Sequence, residues 1–281
     1  MTDLFVIAAA HWLRQLVFGL GPLFAMGFLL FWLQRWTQRC VVRVVGWRGV
    51  VYGTGWIGTP IHEASHVLVG TLFGVEIYEV KLYAPDPVSR VLGYVNYRIP
   101  QLSLGELRPV VGTFLMGIAP LFGGALALLV VRFLLVDSEI DRAFAQSAQA
   151  LAGQLPAGDL QTLPAAFANL MAASYAPVLD HPQNPWLWLY VYLSLAIGTH
   201  LAPSAEDLRG GRRGLIVLLL LSYFANVFAL LIDAEPARAT ALLAQISAPM
   251  VTLLAFAFSL NLGLGAVAFA LALLRRTLSM R

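Results

Sequence analysis

Six apolar runs, each close to the length a helix needs to cross a bilayer, dominate this chain: 16–33, 50–74, 110–136, 186–203, 214–232 and 247–274. A hydrocarbon core about 30 Å thick takes roughly 20 apolar residues in a helix. Lipid offers backbone N–H and C=O groups no partner, so such runs must be helical. The fold class expected is an all-α polytopic membrane protein of about six transmembrane helices. Composition agrees, with 59% of the 281 residues hydrophobic and only 12% charged. So few charges cannot cover a water-exposed surface, which excludes a soluble globular protein. The small net charge of +3, spread along the chain, argues against a nucleic-acid partner. The lipid bilayer is the expected surrounding, and a bacterial-type inner (plasma) membrane the expected location. Cys40, the single cysteine, leaves no intrachain disulfide and no Cys-rich metal site. Met1-Thr2-Asp3 lacks a positive n-region, so no cleavable signal peptide is expected.

The polar stretches between the runs differ in character. Arg35, Arg39 and Arg43 recur every four residues, followed by Arg48, so 34–49 reads as a surface-lying helix with one basic face. Residues 75–99 alternate loosely on both sides of Pro85-Asp86-Pro87 and read as a β hairpin against the bilayer. The insert 137–185 holds Arg142 as its only Lys or Arg, and reads as short helices and loop. The bias of Lys and Arg to the cytoplasm places both termini, Arg209–Arg213 and 75–109 inside, with the insert outside. In that arrangement the arginines of 35–48 fall outside, against the same bias.

Inside the second run stands His62-Glu63-Ala64-Ser65-His66, the pattern His-Glu-x-x-His. Residues four apart on a helix lie one above the other, so both imidazoles can bind one ion. Glu63 lies about 100° around the helix from His62, within reach of a water on that ion. Zinc suits neutral imidazoles in a tetrahedral site with one open position, so Zn²⁺ is the expected cofactor and Glu63 the general base. The metzincin continuation is excluded, since Val69 and Leu72 occupy its glycine and third-histidine places. Third-donor candidates lie far along the chain, in His200-Leu-Ala-Pro203-Ser204-Ala-Glu206-Asp207. Pro203 breaks the helix between His200 and Asp207. Both can coordinate only if the chain folds back there; otherwise one binds and the other orients a ligand or polarises the substrate carbonyl.

The stretch from Gly58 through His62-Glu63-x-x-His66 to Gly74, with its following β-like segment, resembles the site-two protease family of intramembrane zinc metalloproteases. That resemblance covers roughly residues 50–210. It implies zinc ligands at His62 and His66, a base at Glu63, and the family's aspartate ligand at Asp207, leaving His200 a catalytic part. Against the family's Asn-x-x-Pro-x-Pro-x-Leu-Asp-Gly, this chain has His200 in the Asn place, Ala205 for the second Pro and Asp207 one position early. Ala119-Pro120-Leu-Phe-Gly123 replaces the family's Gly-Pro-x-x-Asn, so no role is carried over there. The organisation implied has three parts. An N-terminal helix and basic segment fill 1–49. A metalloprotease-like core with a three-helix zinc centre fills 50–213, comprising the zinc-motif helix, hairpin 75–99, helix 110–136, insert 137–185, helix 186–203 and the Asp207 loop. Two C-terminal helices fill 214–281. The activity implied is hydrolysis of a peptide bond in a transmembrane or membrane-anchored protein substrate. The alternative is a non-proteolytic zinc-binding membrane scaffold or receptor subunit with the same fold. Gly112, Gly117, Gly123 and Gly124 are expected to let neighbouring helices approach the centre closely.

Overall fold

In a computed structural model the described residues are 2–101, 103–157, 161 and 163–279. They are mostly helical, with one small antiparallel sheet. The helices are α1 (Thr2–Arg14), α2 (Gly21–Val50), α3 (Trp56–Leu72), α4 (Leu107–Leu135), α5 (Ser138–Ala157), α6 (Leu163–Asp180), α7 (Pro185–Gly198), α8 (Ala205–Gly210), α9 (Arg212–Leu231) and α10 (Pro236–Ser279). Strands β1 (Ile77–Lys81) and β2 (Tyr94–Tyr97) pair between α3 and α4, as the alternation of 75–99 predicts. Four helical stretches are long and apolar enough to cross a membrane: Asp3–Leu72, Leu107–Leu135, Arg212–Leu231 and Pro236–Leu278. The insert forms α5 and α6; its residues 158–160 and 162 lie outside the described set.

Two expected boundaries move. The run at 186–203 stops being helical at Gly198, because Pro203 cannot continue the ladder and the residues before it unwind. The last helix starts at Pro236, well before 247, with proline at a first-turn position where its missing N–H costs nothing.

Helix direction corrects the expected topology. Ser247 donates to the Gly19 carbonyl, Thr37 to the Asn261 carbonyl, and Arg275 to the Val44 carbonyl. Both numberings rise together, so α2 and α10 are parallel, whereas six alternating spans require the first and last to be antiparallel. Helix α7 runs with α10, since Tyr190 stacks on Phe256 and Gly198 packs on Asn261. Helix α4 runs against α7, with Arg132 beside Tyr190 and Gly124 on Leu201. Helix α3 runs against α4, with Phe73 at Gly112 and Ser65 at Gly123, and therefore runs the same way as α2.

The chain must double back between α2 and α3, and it does so at Gly46. That residue has φ 74° and ψ 178°, a left-handed conformation open to glycine without strain. A wide-turn π segment, Val51–Gly55, follows it. A straight helix would separate Gln34 from Thr54 by about 30 Å, yet both bond residues 198–200. The second apolar run thus begins inside the bundle and not at its far face.

This geometry removes the conflict at 35–48. Arg35, Arg39, Arg43 and Arg48 are exposed. They belong to the same end of the bundle as Arg275, which bonds Val44, and as Arg209–Arg213, which follow the α4 N-terminus packed on Gly214. Helices α5 and α6 follow the opposite end of α4. In a Cys40→Ala background, Asn169→Cys and Arg213→Cys are therefore expected to label with an impermeant thiol reagent from opposite faces of the membrane. Labelling of both from one face would contradict this arrangement.

Lipid tails are as apolar as leucine, so helices associate here through close packing and polar contacts more than through hydrophobic burial. Gln15 and Asn226 exchange amide hydrogen bonds at 2.8 and 2.9 Å, tying the π-helical turn between α1 and α2 to α9. Arg132 is buried, 3.0 Å from the Tyr190 hydroxyl and stacked 4.0 Å from the Phe144 ring, tying α5 to α4. The larger of two apolar clusters among the described residues joins Leu23 and Leu30 of α2 to Leu128 of α4, Ile197 of α7 and Leu254 of α10.

Candidate metal centre

Helix α3 begins where the π segment ends. Pro60 has no N–H for the carbonyl of Trp56, which loosens the ladder at the point where Gly53 and Gly55 allow the wide turn. One turn later, His62 and His66 project from a single face. The His62 Nδ1–H donates to the His200 carbonyl at 2.6 Å, and the His66 Nδ1–H to the Met116 carbonyl at 2.8 Å. A carbonyl can only accept, so each Nδ1 carries a proton, and in the neutral imidazole the Nε2 lone pair then faces inward. The two Nε2 atoms stand 3.1 Å apart. Two lone pairs at that distance repel unless a cation lies between them.

The third member arrives from the break after α7. Ser204 caps α8, accepting from the Asp207 N–H at 3.1 Å, while the Asp207 carboxylate accepts from the Ser204 N–H at 2.6 Å. This reciprocal capping box fixes the carboxylate against α3. Its oxygens lie 3.7 Å from His62 Nε2 and 3.5 Å from His66 Nε2. Donors on a tetrahedral ion with bonds of about 2.0–2.2 Å stand about 3.3–3.6 Å apart. The separations of 3.1, 3.5 and 3.7 Å bracket that spacing, and the set of two imidazoles and one carboxylate fits zinc. Gly117 makes the approach possible: a β-carbon there would stand 2.5 Å from the Asp207 carbonyl oxygen.

Glu63 is buried beside these donors, 8% exposed, with no hydrogen-bond partner among the described residues. The hairpin lies directly over it, since a β-carbon on Gly93 would come 2.9 Å from Glu63 Cγ. A cavity of about 700 Å³ opens here, lined by His62, Glu63, His66 and Asp207 on one side and by Gly93–Tyr97 on the other. Strand β2, whose one partner among the described residues is β1, lends its residues to the lining of this space. Glu76 and Glu79 take no part in the cluster. Glu76 pairs with Arg98 at 2.6 Å, and Glu79 accepts from Tyr94 at 2.7 Å.

His200 reaches the centre differently from Asp207. Its imidazole turns to Thr54, with Nε2 3.1 Å from that hydroxyl, and its backbone carbonyl holds His62. Gly58 leaves the room, since a β-carbon there would stand 2.8 Å from His200 Cβ. The four glycines of α4 meet Phe73, Asp207, Ser65 and Leu201 in turn, the close approach their spacing predicts. Two contributors escaped the sequence reading. The capping pattern Ser204-x-x-Asp207 was a usable signal; the Met116 carbonyl, being backbone, left none. No protein-family model, curated protein or solved structure matches this chain.

Proposed function

We propose that this protein is an intramembrane zinc metalloprotease that hydrolyses peptide bonds of membrane-embedded or membrane-proximal proteins. The observation that carries this reading is the convergence of His62, His66 and Asp207 on one point, with an unpartnered buried carboxylate, Glu63, beside them. A site built only to hold metal has no use for Glu63. His62, His66 and Asp207 would hold the ion. Bound zinc supplies a Lewis acid, which acidifies a water and polarises a carbonyl oxygen.

This chain's residues do the rest. The free edge of β2 receives an unwound substrate strand by backbone pairing, which lays one peptide bond across the cavity. Glu63 takes a proton from the attacking water as the new C–O bond forms. It then delivers that proton to the amide nitrogen as the C–N bond breaks, leaving a carboxylic acid and an amine, which become carboxylate and ammonium as the second proton passes from acid to amine. The carbonyls of His200 and Met116 keep both imidazoles in the tautomer that faces inward. The finer architecture belongs to the same proposal: a three-helix centre of α3, α4 and the α7–α8 break, within a bundle of about six membrane-inserted segments.

The experiment is cleavage of a single-span peptide substrate by purified protein in liposomes. Activity should vanish on treatment with a strong zinc chelator and return with about one equivalent of zinc. Cleavage that persists in fully metal-depleted protein would refute the reading.

A further inference from the structure

Helix α7 ends at Gly198, and α8 does not begin until Ala205. Between them the backbone is unwound, and its C=O and N–H groups lack the ladder partners of a continuous helix. One side chain satisfies both flanks of this segment. Gln34, on α2 and 5% exposed, donates from Nε2 to the Gly198 carbonyl and accepts at Oε1 from the Ala202 N–H at 2.9 Å. Gln38, one turn further along, adds a bond from Nε2 to the Thr199 carbonyl at 3.3 Å. Midway between the two atoms held by Gln34 stands His200, whose carbonyl orients His62.

We propose that Gln34 is a positioning residue of the metal centre, bracketing the unwound 198–202 arc so that the His200 carbonyl meets His62. The inference rests on the metalloprotease reading, and it brings α2 into a site whose donors all lie on α3 and α8. The role needs an amide. Its N–H₂ group serves a carbonyl and its C=O an N–H, a pair of functions that neither a carboxylate nor a thioether supplies. Without the bracket the arc keeps its sequence and loses its fixed path. His62 then loses the acceptor that holds its tautomer, the kind of change that lowers metal affinity by about 10–100-fold.

The test compares Gln34→Met with Thr37→Val. Thr37 is equally buried on the same helix, but it bonds the Asn261 carbonyl and not the arc. Both variants remove polar contacts between helices, so a merely structural role would move both alike. The readouts are zinc affinity and the visible spectrum of the cobalt-substituted protein, neither of which depends on turnover. Gln34→Met is expected to weaken zinc binding at least tenfold and to shift the cobalt spectrum, while Thr37→Val stays within twofold of the parent. Should Gln34→Met fail to insert, Gln34→Glu keeps the shape and the acceptor for Ala202 and removes only the donor; it is expected to show the same loss in smaller measure. Parental affinity and spectrum in the inserted Gln34 variant, or an equal loss in Thr37→Val, would overturn the proposal. A parent protein that binds zinc tightly and cleaves nothing would instead overturn the protease reading, with the Gln34 comparison still decided by affinity.

Discussion

Glu63→Gln is expected to leave zinc content unchanged and to lower peptide cleavage by about 10²–10⁴-fold, or about 3–5 kcal/mol of transition-state stabilisation. The amide matches the carboxylate in shape and fits the same space under Gly93. It cannot take a proton at neutral pH, so binding survives where proton transfer fails. Glu63 lies beside the donors and bonds none of them, so removing its charge leaves the ligand set intact. Zinc by mass spectrometry and cleavage in liposomes, measured on one preparation, check both halves. Activity within tenfold of the parent would remove Glu63 from the mechanism.

The second large effect separates Asp207 from His200. Asp207→Ala deletes a donor that faces both imidazoles and half of the box that caps α8. Losses behind the ligands are worth about 10–100-fold in affinity, so losing a direct donor should exceed about 10²-fold. His200→Ala removes an imidazole turned to Thr54 and keeps the carbonyl that holds His62. Zinc affinity there is expected within about tenfold of the parent, with the main loss in turnover as the arc loses its anchor on Thr54. Competition with a zinc indicator measures both. The reverse order would exchange the two assignments.

The sequence made the His62–His66 pairing legible because helical geometry alone stacks residues four apart, and α3 is a helix through that stretch. The hairpin was legible in its alternation, and the small-residue face of α4 in its glycines. Pro203 showed that the chain breaks between His200 and Asp207, but not which atom of His200 faces the centre. Spacing describes side chains, and it is the His200 backbone that does the work. Gln34 was illegible, because a glutamine in an apolar run gives no sign of a partner more than 160 residues away. Helix direction was missed for a related reason. Counting apolar runs assumes that each one crosses completely, whereas Gly46 and the π segment turn the chain back inside the bundle.

X-ray absorption at the zinc edge on the purified, unmodified protein tests the central claim most directly. The expected spectrum is one zinc per chain with two imidazole nitrogens at about 2.0–2.1 Å and oxygen donors from a carboxylate and a water. In Asp207→Ala the zinc should be lost, or the carboxylate contribution should disappear. A parent protein that holds no stoichiometric zinc, or one whose zinc shows three imidazoles and no carboxylate, would contradict the centre described here.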